Sequence, residues 1–366
     1  MKKNNYEEKS FRSKSGRSTK NIVSVIFLSL VSLLALTFCI VLLLLNASLK
    51  REEEAMKSQL EAINEEGYYT TSQTQEMIDK AVEEAETETR KSILESFKEI
   101  LLSGQSTITA IRSLFTDQLV VADSGSYYFF PITDSLEHNS FSSEDFSTDE
   151  NGIMTYVGSD ETVSGELGID VSRFQGEIDW EKVAAAGVKY AIIRAGLRGS
   201  TEGGLLEDDY FEANIEGAIA NGIDVGVYFY SQAISVEEAE EEAQFVLDLI
   251  EPYNITYPVV LDVESAESDT ARTKGLSQET YTECAKTFCQ IVSDAGYTPM
   301  IYGNVKSFTL LLDMTQLTDY DVWIAYYGEN QYYPYQFDMW QYSSSGTIDG
   351  IDGDVDLNIS VKDYTP

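Results

Sequence analysis

The chain has 366 residues, with 25 Lys and Arg against 62 Asp and Glu, a formal net charge of −37. That length allows two or more domains, or one large barrel with extensions. The acidic balance argues against nucleic acid and against adhesion to an anionic surface. The single histidine, His138, excludes a histidine-based catalytic triad or a multi-histidine zinc site within this chain.

The charge is unevenly placed. The first 20 residues hold seven basic side chains (Lys2, Lys3, Lys9, Arg12, Lys14, Arg17 and Lys20) against Glu7 and Glu8, a net of +5, and the remaining 18 basic and 60 acidic residues give −42. Residues 22–45 then run without a charge, long enough to span a bilayer and longer than a signal-peptide core. The basic flank predicts a cytoplasmic N-terminus, with everything after Asn46 outside. Of the three cysteines, Cys39 falls in this span, while Cys284 and Cys289 fall on different faces of one predicted helix, where no disulfide between them is expected.

Beyond the span, Met56, Leu60 and Ile63 recur at helical spacing, and Gly67 interrupts. A second helical stretch covers about 74–102 with a late apolar face of Ile93, Leu94, Phe97, Ile100 and Leu101, and a third carries Ile108, Ile111, Leu114 and Phe115. The heptads are not sustained, so the pattern describes a helical stalk open to self-association. Residues 119–132 hold an aromatic β-like run, and 133–165, rich in Ser, Asp, Glu and Gly, read as a linker. The predicted organisation is a basic cytoplasmic tail (1–21), a transmembrane helix (22–45), a helical stalk (46–125), a linker with a short β-like segment (126–165) and a barrel (166–366).

From Leu167 the pattern changes. Strands are predicted at 167–171, 190–195, 224–230, 259–264 and 298–302, alternating with helices at 178–187, 209–221, 236–250 and 277–295. Gly187, Gly222 and Gly296 end three of those helices, and Ser235 opens the one with a Glu-rich outer face. Strict alternation signals a parallel sheet, and closure into a barrel is its natural solution at this length. Strands at 321–327, 339–342 and 353–357 follow with little room between them, so the second half of the barrel loses its outer helices.

The fourth of these strands ends in Asp262 and Glu264, two carboxylates on one side of a strand roughly 7 Å apart. Like charges this close leave one carboxyl protonated beside an ionised one, the equipment of glycoside hydrolysis. An isolated pair of this kind would cap a loop and be solvated, so the other strand ends decide. Barrels of this class place catalysis at the C-terminal ends of the strands. Those ends bring Asp170, Arg194, Tyr228, Tyr230, Asp262, Glu264, Tyr302, Trp323, Tyr326, Trp340, Gln341 and Asp356 to one rim. Acids with stacked aromatics make a sugar-binding groove, since rings cover the apolar faces of pyranoses.

The segment Gly168-Ile-Asp-Val-Ser-Arg-Phe-Gln-Gly176, followed by Ile178-Asp-Trp180, resembles the opening motif of the glycoside hydrolase family 25 muramidases. Leu261-Asp-Val-Glu264 is similar to their paired acids, and Trp340-Gln-Tyr-Ser343 with Asp354-Val-Asp-Leu-Asn358 to their closing block. The likeness covers about residues 167–360 in the right order. It implies a modified TIM-like α/β barrel of five β/α units and three further strands. It also implies cleavage of the β-1,4 bond between N-acetylmuramic acid and N-acetylglucosamine in peptidoglycan. By motif, Glu264 would be the proton donor, Asp262 its partner, and Asp170 and Asp356 further acids. The chain departs from the family at Gly226-Val-Tyr-Phe229, where many members end in His, and at Arg194-Ala-Gly-Leu-Arg198, where many carry Lys-Ala-Thr-Glu-Gly. Both departures bear on substrate fit. No metal or organic cofactor is implied. A non-catalytic wall-binding protein that keeps the barrel as a glycan reader, and a chitinase-like barrel, are the alternatives.

Overall fold

The computed structural model describes residues 15–64, 71–266, 268, 270–328 and 331–365. It divides into two compact units, one ending at Ala110 and one running from Ile111. In the first, α1 (Ser15–Asn64) and α2 (Thr71–Leu102) pack against each other. Fifty residues make α1 about 75 Å long. Its stretch Val31–Ser58 is long and apolar enough to cross a membrane. Leu34, Leu36, Phe38 and Leu43 there are exposed, whereas a soluble core helix of that composition would bury them. Most of the expected basic tail and the expected break at Gly67 lie outside the described residues. The short helix α3 (Thr107–Leu114) crosses the division between the units.

The second unit is built on a closed barrel. A first hairpin pairs β1 (Gln118–Asp123) with β2 (Ser126–Pro131), and a second pairs β3 (Phe146–Thr148) with β4 (Met154–Tyr156). The barrel follows as β5 (Glu166–Val171), α4 (Trp180–Ala185), β6 (Tyr190–Arg198), the short β7 (Leu205–Glu207), α5 (Phe211–Ala220), β8 (Asp224–Tyr230) and α6 (Val236–Ile250). It continues as β9 (Val259–Asp262), α7 (Gln278–Asp294), β10 (Pro299–Asn304), β11 (Asp321–Ala325), β12 (Met339–Gly346) and β13 (Val355–Ser360). Parallel pairing runs from β5 through β12, and β13 closes the ring antiparallel to both β12 and β5. Strand β7 adds to the end of β6 outside the ring. This is the expected modified barrel of five β/α units and three further strands. Among the described residues after α7, only short helical turns at Ser307–Leu311 and Met314–Gln316 remain outside the later strands.

Alternation along the strands divides the core in two. Tyr190, Ile192, Val260, Met300, Trp323 and Met339 fill the interior, with Tyr190 stacked on Tyr257 at 4.3 Å. Their neighbours one residue along each strand, such as Ile193, Leu261, Ile301 and Ile324, belong to the outer layer of the core. Each fully buried side chain of this size stabilises by about 1.5–3 kcal/mol. Gly168 is required where β5 passes Tyr190, because a Cβ there would lie 2.1 Å from the phenol ring.

Two local expectations are corrected. The Glu-rich face of α6 is not wholly outward: Glu242 is fully buried and bonds Arg198 Nε at 2.8 Å, while Glu238 pairs with Arg272 at 2.5 Å. Buried carboxylates persist when paired and hydrogen-bonded. The segment 133–165, read as a linker, packs on the barrel. Asn139 Nδ2 donates to Tyr333 O at 2.7 Å, Met154 N to Tyr342 Oη at 3.2 Å and Ser164 N to Val361 O at 3.1 Å. Phe146 sits edge-on to Trp340 at 5.3 Å.

Candidate active site

The C-terminal ends of the parallel strands, with the N-terminal end of the antiparallel β13, surround a cleft of about 550 Å³. Each strand contributes through the inward half of its alternation: Asp170 from β5, Arg194 from β6, Tyr228 and Tyr230 from β8, Asp262 from β9, Tyr302 from β10, Trp323 from β11, Gln341 from β12 and Asp356 from β13. Glu264, two residues past Asp262, lines the same cleft. Ten of the twelve residues expected at the rim are therefore brought together.

Trp340 and Tyr326 are not. Trp340 neighbours Gln341 on β12, so it points outward, is buried at 1 % exposure among Phe146, Phe337 and Tyr342, and donates Nε1–H to Tyr326 O at 2.8 Å. Tyr326 lies beside Tyr332 and Arg112. The cleft instead receives Tyr327, the next residue, and Phe174, which is 74 % exposed. A strict count of two along each strand finds Tyr327; Phe174 stands in the opening motif next to Arg173, with no periodicity to mark it.

The floor of the cleft is a hydrogen-bonded network. Asp170 Oδ2 accepts from Gln341 Nε2 and from Asn358 Nδ2, both at 2.8 Å. Gln341 Oε1 accepts from the hydroxyls of Tyr302 at 2.8 Å and Tyr327 at 2.6 Å, and Asn358 Oδ1 from Trp323 Nε1 at 2.9 Å. Both amides are thereby fixed in orientation. Burial, then the Asp356 charge, pushes the Asp170 carboxyl well above the usual range, against the two amide donors. Burial, then Glu264 and Asp170, does the same to Asp262, while Arg194 pulls it down. Asp356 is pushed up to about 6 by burial and by Asp354. Four carboxyls gathered in one cleft cannot all ionise together at neutral pH.

Two features distinguish the acids. Among the described residues, Asp262 Oδ1 is buried without a hydrogen-bond partner, a costly state for a carboxyl oxygen. Arg194, the cation that pulls Asp262 down, is committed to Asp208, whose Oδ2 lies 2.6 Å from Nε and 2.5 Å from a terminal nitrogen. Asp208 also accepts from the backbone of Arg173 at 3.1 Å, so the pair fixes the loop that carries Phe174. Arg198 pairs with Glu242 in the same way, which accounts for both arginines of the departing β6 motif. A larger cavity of about 770 Å³ lies at the opposite ends of the strands, by Asp321 and Asp338, away from all four rim acids.

A barrel with paired acids and aromatics converging at its C-terminal rim is the architecture of a glycosidase. The model for glycosyl hydrolases family 25 matches residues 169–351, half of the chain. An uncharacterized protein of Escherichia coli strain K12, YegX, is 32 % identical over 202 residues, covering 52 % of this chain and 68 % of its own length. Lysozyme M1 of Streptomyces globisporus is 31 % identical over 211 residues, covering 53 % and 67 %. The crystal structure of a lysozyme from Streptomyces coelicolor superposes with a TM-score of 0.43 at 27 % identity, covering 53 % of this chain and 91 % of that one. The chain belongs to glycosyl hydrolase family 25 and is a glycoside hydrolase of the muramidase type.

Proposed function

We propose that this protein is a membrane-anchored peptidoglycan hydrolase that cleaves the β-1,4 bond between N-acetylmuramic acid and N-acetylglucosamine. Glu264 is the general acid. It gives its proton to the glycosidic oxygen as the bond from that oxygen to the anomeric carbon breaks.

The observation that carries the reading is the buried Oδ1 of Asp262 beside Glu264, unpartnered among the described residues. An amide N–H of a 2-acetamido group is the donor it lacks. Accepting that hydrogen bond favours the ionised form of Asp262 and leaves the shared proton for Glu264. It also turns the acetamido oxygen toward the anomeric carbon, where its electron pair closes a ring as the leaving sugar departs. Water then opens that ring at the anomeric carbon and returns a proton to Glu264. Asp170 and Asp356 line the same cleft and act on the positive charge that develops. The phenols of Tyr228 and Tyr302 stay protonated because burial raises both; Tyr302 spends its hydrogen on Gln341, and Tyr228 is the donor offered to the sugar.

The helix Val31–Ser58 supports the anchoring, with its exposed apolar surface set in lipid and the barrel facing the wall. The test is digestion of purified peptidoglycan by the full chain in detergent, followed by borohydride reduction of the new ends. Reduced muramic acid is expected. Reduced glucosamine alone would reassign the bond, and binding without new reducing ends would leave the glycan-reader alternative.

A further inference from the structure

We infer that the hairpin β1–β2 forms one wall of a further glycan subsite continuous with the catalytic cleft, and that the Asp123–Lys306 ion pair holds that wall in place. The inference rests on the reading of the cleft as a glycan site and adds a part that the family domain does not supply. The hairpin ends at Pro131, well before the matched residues 169–351 begin.

A cavity of about 750 Å³ adjoins the cleft and shares Tyr230 and Glu264 with it. Its far wall is the hairpin tip, Asp123 and Ser124, facing Asn304 and Lys306. The tip is a two-residue turn in which Ser124 and Gly125 both have positive φ, 48° and 78°, the geometry that matches strand twist in tight hairpins. It is pinned at both ends. At the base, Arg112 Nε donates to Val120 O at 3.1 Å, the Arg112 guanidinium lies 4.0 Å from the Tyr332 ring, and Val120 N donates to Tyr332 Oη at 2.7 Å. At the tip, Lys306 Nζ lies 2.6 Å from Asp123 Oδ1 and donates to Ser265 Oγ at 2.9 Å. Ser265 follows Glu264, so one ammonium ties the hairpin to the segment that carries the acid.

The chemistry of this space selects its occupant. Lys306 is neutralised by Asp123, and the other charged residues on the lining, Lys274 and Glu264, are of opposite sign, so the space has no excess of cations to recruit an anion. Tyr230 offers an apolar face, and Asn304 and Ser124 offer an amide and a hydroxyl. That combination suits a neutral N-acetylated sugar ring, the next unit of a strand whose scissile bond lies at Glu264. A wall held by an ion pair positions the strand without touching the reacting atoms, so its loss appears in binding of long substrates.

The experiment uses the full chain in detergent with the variants Asp123→Asn, Lys306→Met and the swap of Asp123→Lys with Lys306→Asp. Each single variant is expected to raise KM for long glycan strands about tenfold with kcat within about twofold, a split that marks lost ground-state binding. The rise for a short oligosaccharide should be smaller, and the swap should bring KM back toward the wild-type value. Separately, Asp123→Asn in a Glu264→Gln background should weaken the Kd for long strands by a similar factor. Equal effects on short and long substrates, or an unchanged long-strand Kd, would overturn the subsite. A wild type that binds but cleaves nothing would sink the hydrolase reading alone, because the Kd comparison needs no turnover.

Discussion

Asp170 and Asp356 stand opposite each other across the antiparallel β5–β13 ladder, at the rim where the barrel closes. Like charges directly opposite in a sheet are destabilising, so the pair opposes the fold that carries it. Burial with Asp356 raises Asp170, and Asp356 itself is pushed up to about 6. A carboxyl raised in the folded state binds its proton more tightly there than in the unfolded chain. Its stabilising contribution is complete below about pH 4 and is lost as pH rises through about 6. Asp356→Asn should therefore stabilise the protein at pH 7, by about 1–2 kcal/mol after allowance for its partial exposure, and lower glycan cleavage. Thermal melts at pH 4 and pH 7 check the sign: the gain should be present at pH 7 and vanish at pH 4.

Asp338 allows the same argument where no catalysis is at stake. It lies at the opposite ends of the strands, and burial followed by the Asp321 charge pushes it up to about 6. Its Oδ2 accepts from Val322 N at 2.9 Å, a bond that an asparagine carbonyl can also accept. Asp338→Asn is expected to raise stability at pH 7 by about 1–3 kcal/mol and to leave peptidoglycan cleavage unchanged. A fall in the melting temperature at pH 7 would contradict it.

The barrel was legible because strand and helix periods alternate cleanly from Leu167 onward, and because inward positions along each strand keep one parity. The acids followed from that parity. Trp340 and Tyr326 fall outside the cleft because the alternation that turns Trp323, Tyr327 and Gln341 inward turns their neighbours outward, a distinction that a strand end read as one block does not carry. Glu242 was hidden because a Glu on a Glu-rich helix looks solvated until Arg198, on a different element, arrives against it. The hairpin's place was illegible for the same reason. Asp123 and Lys306 are ordinary surface residues in sequence, and only the closed barrel brings them to 2.6 Å.

Gln341 is the junction of the cleft floor, accepting from two phenols and donating to Asp170. Gln341→Leu strands the buried Tyr302 hydroxyl and removes one of the two donors that lower Asp170. A loss of about 1–3 kcal/mol of stability at pH 7 is expected, with reduced turnover. Gln341→Glu adds a fifth carboxyl and should do worse at pH 7 than at pH 5. Equal stability of the leucine variant and the wild type, read from denaturant midpoints, would show that the network contributes nothing.

The proposed anchoring fixes an orientation. Seven basic residues precede the apolar stretch and the acidic bulk follows it. Protease added to intact, wall-stripped cells should digest the barrel and spare the N-terminus. A protected barrel would reverse the assignment. If residues 50–120 mediate self-association, the detergent-solubilised chain should sediment as an oligomer.

The assignment of the acid turns on Glu264 and Asp262 together. Glu264→Gln keeps the shape and removes the proton, so turnover should fall by roughly 100-fold or more with strand binding retained. Asp262→Asn removes the charge that accepts the acetamido N–H and should lower kcat more than it changes KM. The two carboxyls interact, since Glu264 is a principal cause of the upward shift at Asp262. Interaction is reciprocal, so removing the Asp262 charge makes ionising Glu264 easier, and the basic limb of the pH–rate profile should move to lower pH. Participation of the acetamido group adds a second signature. Peptidoglycan stripped of its N-acetyl groups should be a poor substrate for the wild type, and the Asp262→Asn variant should discriminate less between acetylated and de-acetylated glycan. Near-normal activity in Glu264→Gln would move the acid role to Asp170 or Asp356. An Asp262→Asn variant that keeps full preference for the acetylated strand would separate Asp262 from the acetamido group and leave it a purely electrostatic part.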